Sequence, residues 1–261
     1  MTRLPFHQVD AFSSGPFTGN PAAVMPLEAW LPDATLQAIA AENNLSETAF
    51  TVRRSDGAAD YDLRWFTPTV EVDLCGHATL ASAHVLIEEN QIRFSTRSGI
   101  LTVTRDGDQL RLDLPAYPVE AGEEPGLIEA LGLSADTPTF LSRGGNGSAI
   151  VVLPDEAAVR AVAPDFAALR TIDRLVIVTA PGDEQDVASR VFAAYHGIDE
   201  DPVTGSAHAA LVPFWAARLG RTRFTALQAS RRTGQLQCEL RGDRAILGGH
   251  AVTVIEGQFQ L

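Results

Sequence analysis

Seven residues, Asp73-Leu74-Cys75-Gly76-His77-Ala78-Thr79, set a thiol and an imidazole on either side of a glycine, where an extended segment gives way to an alanine-rich helix. A second junction of the same kind, Asp201-Pro202-Val203-Thr204-Gly205-Ser206-Ala207-His208, lies in the last third of the chain. A helix that starts at such a junction leaves backbone N–H groups unpaired at the positive end of its dipole. That end is a natural seat for a carboxylate or phosphate. The chemistry expected is proton transfer on one small anionic substrate, with the two helix starts facing it from opposite sides.

Glu47 is the first candidate to move the proton. It stands among Leu45, Ala49 and Phe50 at the start of an expected strand. Partial desolvation there would raise its pKa and let it shuttle a proton near neutrality. The alternative is a solvent-facing strand carboxylate, which residue type alone favours. His77 is either a hydrogen-bond donor to a substrate carboxylate or an ordinary core or capping histidine. Asp201 is either a site residue or a turn aspartate before Pro202, and Ser206 either binds a carboxylate with the N–H groups after Gly76 and Gly205 or merely caps its helix. Cys75 is either a small buried residue or a thiol whose pKa the helix start lowers; the first reading is favoured. Thr204 stands at the position of the second junction that matches Cys75, and a threonine is a poor base at neutral pH. His84 and His208, inside apolar helices, and Cys238, in a strand, read as structural. No metal is expected, because no ligand cluster is visible beyond His77 and His84. Arg143-Gly144-Gly145-Asn146-Gly147 reads as a turn rather than a phosphate loop, since a strand and not a helix should follow it.

The elements that must position these groups can be read in order. Strands are expected over Phe6–Phe12, Ala22–Leu27, Glu47–Arg53 and Tyr61–Thr67, with a turn cluster over Ser13–Pro21. A helix capped by Asp33 should stop near Asn43-Asn44. The helix from Gly76 to Glu89 is small or apolar nearly all round and must be buried. Strands follow over Arg93–Arg97, Ile100–Arg105 and Gln109–Leu114, the last two joined at Asp106-Gly107-Asp108. Pro115–Pro125 reads as a linker. Beyond it come short helices over Gly126–Leu131 and Ala157–Val162, and strands over Ala149–Leu153 and Leu175–Thr179. A second key helix spans Gly205–Leu219, ends at Gly220 and should kink or shift its start at Pro213. Strands over Phe224–Ser230, Gln235–Leu240, Ala245–Leu247 and Ala251–Ile255 complete the chain.

Length and composition bound the possibilities. The 261 residues suit one large domain or two small ones, and 45% hydrophobic with 20% charged content is ordinary for a soluble globular protein. A net charge of -13 argues against nucleic acid or an anionic membrane as partner. There is no apolar run of spanning length, no secretory core near the N-terminus, and only two cysteines, so a reduced cytoplasmic protein is expected. The halves also repeat. Gly76 matches Gly205, and Ser95-Thr96-Arg97-Ser98-Gly99-Ile100-Leu101 matches Ser230-Arg231-Arg232-Thr233-Gly234-Gln235-Leu236.

The chain resembles the PhzF-like (phenazine biosynthesis-like) isomerases, relatives of diaminopimelate epimerase. The resemblance rests on Val9-Asp10-Ala11-Phe12, Thr18-Gly19-Asn20-Pro21, Asn44-Leu45-Ser46-Glu47-Thr48-Ala49-Phe50, Arg64-Trp65-Phe66-Thr67-Pro68, Cys75-Gly76-His77-Ala78-Thr79 and Asp201-Pro202-Val203-Thr204-Gly205-Ser206-Ala207. It implies an α+β fold of two pseudo-twofold-related domains, each a curled, mostly antiparallel sheet around a central helix. The domains would be 1–116 and 117–250, with strand 251–261 returning to the first. It also implies a site in the interdomain cleft, no cofactor, a homodimer and a small carboxylate-bearing substrate. Glu47 maps onto the family's general acid/base, with Asp201 and His77 beside it, and Gly76, Gly205, Ser206 and Cys75 at the substrate. The leading expectation is a cofactor-independent isomerase of a small amino- or hydroxy-carboxylic acid. The alternatives are a one-thiol dehydratase or epimerase using Cys75, and a small-molecule-binding protein without chemistry.

Overall fold

The helix Gly76–Leu86 explains most of the fold around it. In the computed structural model, which describes residues 2–142 and 147–261, every residue from Gly76 to Ala83 is buried. A fully buried helix must satisfy its own polar side chains. Thr79 Oγ1 donates to the Cys75 carbonyl at 2.5 Å, and Ser82 Oγ to the Ala78 carbonyl at 2.7 Å. The small side chains of α2 (Gly76–Leu86) let strands close around it.

The chain divides into two units, Met1–Asp113 with Gly248–Leu261, and Leu114–Leu247. The first contains β1 (Arg3–Ala11), β2 (Asn20–Leu27), α1 (Asp33–Asn43), β3 (Glu47–Arg53), β4 (Tyr61–Phe66), β5 (Glu71–Val72), then α2, β6 (Gln91–Thr96), β7 (Gly99–Asp106) and β8 (Gln109–Pro115), whose end crosses into the second unit. The second contains β9 (Val119–Ala121), α3 (Leu127–Ala130), β10 (Thr139–Ser142), β11 (Ser148–Val152), α4 (Glu156–Ala161), α5 (Phe166–Leu169), β12 (Leu175–Pro181), β13 (Val187–Ala193), β14 (Ile198–Asp201), α6 (Gly205–Leu219), β15 (Arg223–Gln228) and β16 (Gly234–Arg241). β17 (Arg244–Gly249) leads to β18 (Ala251–Gln260), which pairs antiparallel with β1 in the first unit.

The repeat seen in sequence is a repeat of topology. In unit 1 the strands run β18-β1-β2-β3-β4-β6-β7-β8, antiparallel except for the parallel pairs β2–β3 and β4–β6. In unit 2 they run β9-β10-β11-β12-β13-β15-β16, with parallel pairs only at β11–β12 and β13–β15. A short antiparallel strand, β5 on β4 and β14 on β13, precedes the helix in each. Gly99 and Gly234 each open the strand after the hairpin turn. Around α2 lie β1, β2, β3, β7 and β18, and α6 packs on β11 and β16.

Several local expectations are corrected. Asp33 does not cap α1: it is the first helical residue behind Pro32, and its carboxylate reaches Arg64 instead. Asn44 ends α1 in the left-handed region with φ 48°. α6 starts at Gly205 without a shift, with Pro213 inside it. The proline has no N–H for the Ala209 carbonyl, and the Tyr117 N–H takes that carbonyl at 2.9 Å. Strand β9 lies within the expected linker, and β10, β13 and β14 are additional strands. Of the Gly-rich turn, residues 143–146 lie outside the described residues. Among the described residues, no helix is long and apolar enough to cross a membrane.

Candidate functional site

In unit 1, the parallel register Ala22↔Glu47 starts β3 beside β2, with Asn20 at the beginning of β2. Gly19 makes that entry possible. Its φ is +73°, and a Cβ there would lie 2.3 Å from the Ala11 carbonyl oxygen, so only glycine fits. Glu47 is 9% exposed and His77 3%, and Glu47 Oε2 lies 3.1 Å from His77 Nε2. The two atoms make an ion-pair contact, and among the described residues neither has another hydrogen-bond partner.

Asn20 holds the other face of the ring. Ser46 Oγ donates to Asn20 Oδ1 at 3.0 Å, which turns the amide so that Nδ2 faces His77 Nδ1 at 3.1 Å. Nδ1 then accepts, and the proton of the neutral ring resides on Nε2, facing Glu47. Burial pulls the His77 pKa down, but the neighbouring Cys75 sulfur and the Glu47 carboxylate outweigh it and hold it well above the ordinary value. The charged ring that this shift favours carries a second proton on Nδ1, and the Asn20 amide turns over to accept it. Asn20 and Ser46 were present in the quoted motifs without an assigned role. Their position within one residue of Gly19 and of Glu47 was the available signal.

Cys75 is the residue before α2, with its Sγ 3.5 Å from His77 Nδ1. Burial first, then the Glu47 carboxylate, push its thiol up to about 11. The helix start therefore does not activate it, and the side chain is a buried thiol at neutral pH. The donor atoms of Glu47, Cys75 and His77 all lie within 4.8 Å of one another, a cluster that their separation along the chain concealed. His84 lies apart from them and meets Thr253 Oγ1 at 3.0 Å.

Unit 2 builds its junction from different side chains. Thr204 precedes α6, and its Oγ1 donates to Asp201 Oδ2 at 2.5 Å. Gln228, at the end of β15 and fully buried, clamps the turn. Its Oε1 accepts from the Thr204 N–H at 2.9 Å, while Nε2 donates to the Asp201 carbonyl at 2.7 Å. Gln228 was missed in the sequence, where a carboxamide at a strand end carries no distinguishing pattern. Gly205 and half-buried Ser206 are the first two residues of α6. His208 Nδ1 donates to the Thr204 carbonyl at 2.8 Å, and burial lowers its pKa to about 4. It is a neutral structural ring. Burial likewise raises the Cys238 thiol. Neither α2 nor α6 receives a side-chain cap from the residue before it.

The profile of the family described as Phenazine biosynthesis-like protein matches residues 9–257. The chain belongs to that family. Two proteins of Pseudomonas aeruginosa named as uncharacterized isomerases are each 52% identical to it over 99% of both chains. The human phenazine biosynthesis-like domain-containing protein is 38% identical, with 98% of each chain covered. The crystal structure of an Enterococcus faecalis PhzF-family protein superposes with a TM-score of 0.91 at 46% identity, covering 100% of both chains. More distantly, a hydroxyproline epimerase of Agrobacterium vitis shares the fold, with a TM-score of 0.61 at 13% identity over 99% of this chain and 91% of that one. The fold of this family member is α+β, of the diaminopimelate epimerase-like kind.

Proposed function

We propose that this family member is a cofactor-independent isomerase of a small amino- or hydroxy-carboxylic acid, with Glu47 as its proton carrier. The observation that carries the reading is the buried Glu47 carboxylate 3.1 Å from His77 Nε2, on a ring whose Nδ1 is held by Asn20. The Glu47 carboxylate takes a proton from a carbon next to an unsaturated or carboxyl-activated system. The electrons of that C–H bond move into the conjugated system. The Glu47 acid then returns the proton to the far carbon, so the net change is one hydrogen and one double bond displaced. A single base suffices for such a shift, in keeping with Thr204 at the position matching Cys75. His77 directs its N–H toward the reacting carboxyl groups. Asp201 holds the substrate's polar substituent, and the N–H groups at Gly76, Gly205 and Ser206 receive its carboxylate as charge develops. The reading includes a homodimer working in the cytoplasm, without nucleic-acid or membrane partners.

Solvent deuterium exchange followed by NMR over a panel of small amino acids and cyclic hydroxy acids tests it, on wild type, Glu47→Gln and Cys75→Ser. Exchange lost in Glu47→Gln and kept in Cys75→Ser is the expected result. The opposite pattern would replace the carboxylate mechanism with a thiol one.

A further inference from the structure

The Glu47, Cys75 and His77 cluster offers a donor set that a cation could take in competition with proton transfer. Glu47 Oε2 and His77 Nε2 are buried, 3.1 Å apart, and lack hydrogen-bond partners. Two orphaned polar atoms in a buried site call for a third group between them. Bonds of about 2.0–2.1 Å from a small divalent cation to nitrogen and oxygen put those two atoms roughly 3 Å apart. A sulfur donor lies beside the same ring, Cys75 Sγ being 3.5 Å from His77 Nδ1, and one donor atom from each of the three residues lies within 4.8 Å of the others.

We propose that Glu47, Cys75 and His77 form a binding site for a borderline-soft divalent cation of the zinc class, whose occupancy removes the Glu47 carboxylate from proton transfer. One thiolate, one carboxylate and one neutral imidazole balance a double positive charge. Mixed sulfur, nitrogen and oxygen donors select zinc or cobalt over magnesium and calcium, which demand oxygen shells. Binding displaces the Cys75 thiol proton into solvent. The sulfur, 3.5 Å from Nδ1 without the cation, turns toward the Nε2 side, where ligated sulfur and nitrogen sit roughly 3.5 Å apart at tetrahedral angles. With Nε2 on the cation the ring proton moves to Nδ1, and Asn20 turns its amide to accept it, Ser46 serving the other end. Such an outer partner is what orients a ligating histidine. The fourth position is left for water. Binding itself is independent of the isomerase reading; only its inhibitory consequence rests on it.

Cobalt(II) titration of the purified full-length protein without substrate tests the site, with zinc affinity measured by competition against a chromophoric chelator. The expected result is one equivalent of cobalt giving a near-ultraviolet sulfur charge-transfer band and visible bands of tetrahedral intensity. Cys75→Ser should abolish the charge-transfer band and weaken zinc by more than the roughly 10–100-fold that loss of an outer partner costs. Cys238→Ser, which removes the other thiol, should leave both unchanged. Should Cys75→Ser fail to fold by circular dichroism, Cys75→Ala and Glu47→Gln carry the same comparison. No stoichiometric band in wild type, or a band that follows Cys238 instead of Cys75, overturns the proposal. Zinc that binds but leaves deuterium exchange intact would uphold the site and count against Glu47 as the proton carrier.

Discussion

The two glycine-headed helices share a backbone and differ in almost every side chain that could react. Ala22 pairs with Glu47 where β2 meets β3, and Ser148 pairs with Leu175 where β11 meets β12. Leu175 thus holds the place of Glu47. Trp65 pairs with Val72 and Val191 with Asp201, each partner four residues before its helix glycine (76 − 72 and 205 − 201). Asp201 thus holds the place of Val72. Each unit sets a buried carboxylate near its helix junction, but takes it from a different strand. The carboxamides differ likewise: Asn20 of β2 serves the first junction, whereas Gln228, which stands where unit 1 has Thr96, serves the second. One feature is common. The residue three after the glycine, Thr79 or His208, bonds back to the carbonyl before it. Duplication has kept the helix seat and let the side chains diverge, with a carboxylate against a histidine in one unit and a hydroxyl-bonded, clamped aspartate in the other.

The sharpest break in this contrast is Glu47→Gln. If Glu47 alone moves the proton, exchange falls between about 10²- and 10⁴-fold while the fold stays intact by circular dichroism. Asp201→Asn should chiefly raise KM. Equal losses of kcat in both variants would mean that the two units share the base. The next effect separates His208 from Thr79. His208 carries a pKa of about 4 in the fold against 6.5 ordinarily. Between those values the unfolded chain binds more protons than the native one, so stability is complete above pH 6.5 and declines as pH falls toward 4. The loss approaches about 3 kcal/mol at the acid end. Urea denaturation across that window should show the slope in wild type and a flatter profile in His208→Gln.

How much of this was legible beforehand follows from where each signal resides. The buried helices were readable because α2 and α6 are small-residue runs headed by glycine, and β3 because Glu47–Arg53 is apolar between polar flanks. Strand β14 was hidden by its own charge. Of Ile198-Asp199-Glu200-Asp201 only Asp201 is buried, and Glu200 is neutralised by Arg190 of β13, a pairing that exists only once β13 and β14 lie side by side. Glu47 and His77 could be picked singly, by the family resemblance of their motifs rather than by residue type. Their contact could not, since it depends on how β3 packs against α2. Gln228 had no signal until the Asp201 carbonyl and Thr204 N–H it bridges were fixed in space.

Gln228→Met keeps the length of the side chain and removes both polar ends of the clamp. The Thr204 N–H and Asp201 carbonyl would lose buried partners, at about 1–3 kcal/mol of stability. The effect on Asp201 is separable from that loss. With the turn loosened, KM for the exchange substrate should rise with little change in kcat, and Asp201→Asn combined with Gln228→Met should be less than additive. Full additivity would mean that Gln228 supports the fold alone and that the second junction is not preorganised.

The smallest effect probes the base-bearing unit. The Ser46 hydroxyl bonds to the Asn20 amide rather than to the Glu47 or His77 side chain; it fixes that amide, and the amide fixes the ring. Removing the hydroxyl costs one neutral hydrogen bond, about 1 kcal/mol, so exchange in Ser46→Ala should fall by about tenfold or less. A merely structural role would lower stability and leave the imidazole unchanged. A positioning role predicts more: nitrogen-15 shifts of His77 should move from a single tautomer toward a mixture, the pH profile of exchange should shift, and Ser46→Thr should restore both. An unaltered His77 spectrum in Ser46→Ala would show that Asn20 needs no help in orienting the ring. The difference between the two junctions would then reduce to the side chains at positions 47, 77 and 201.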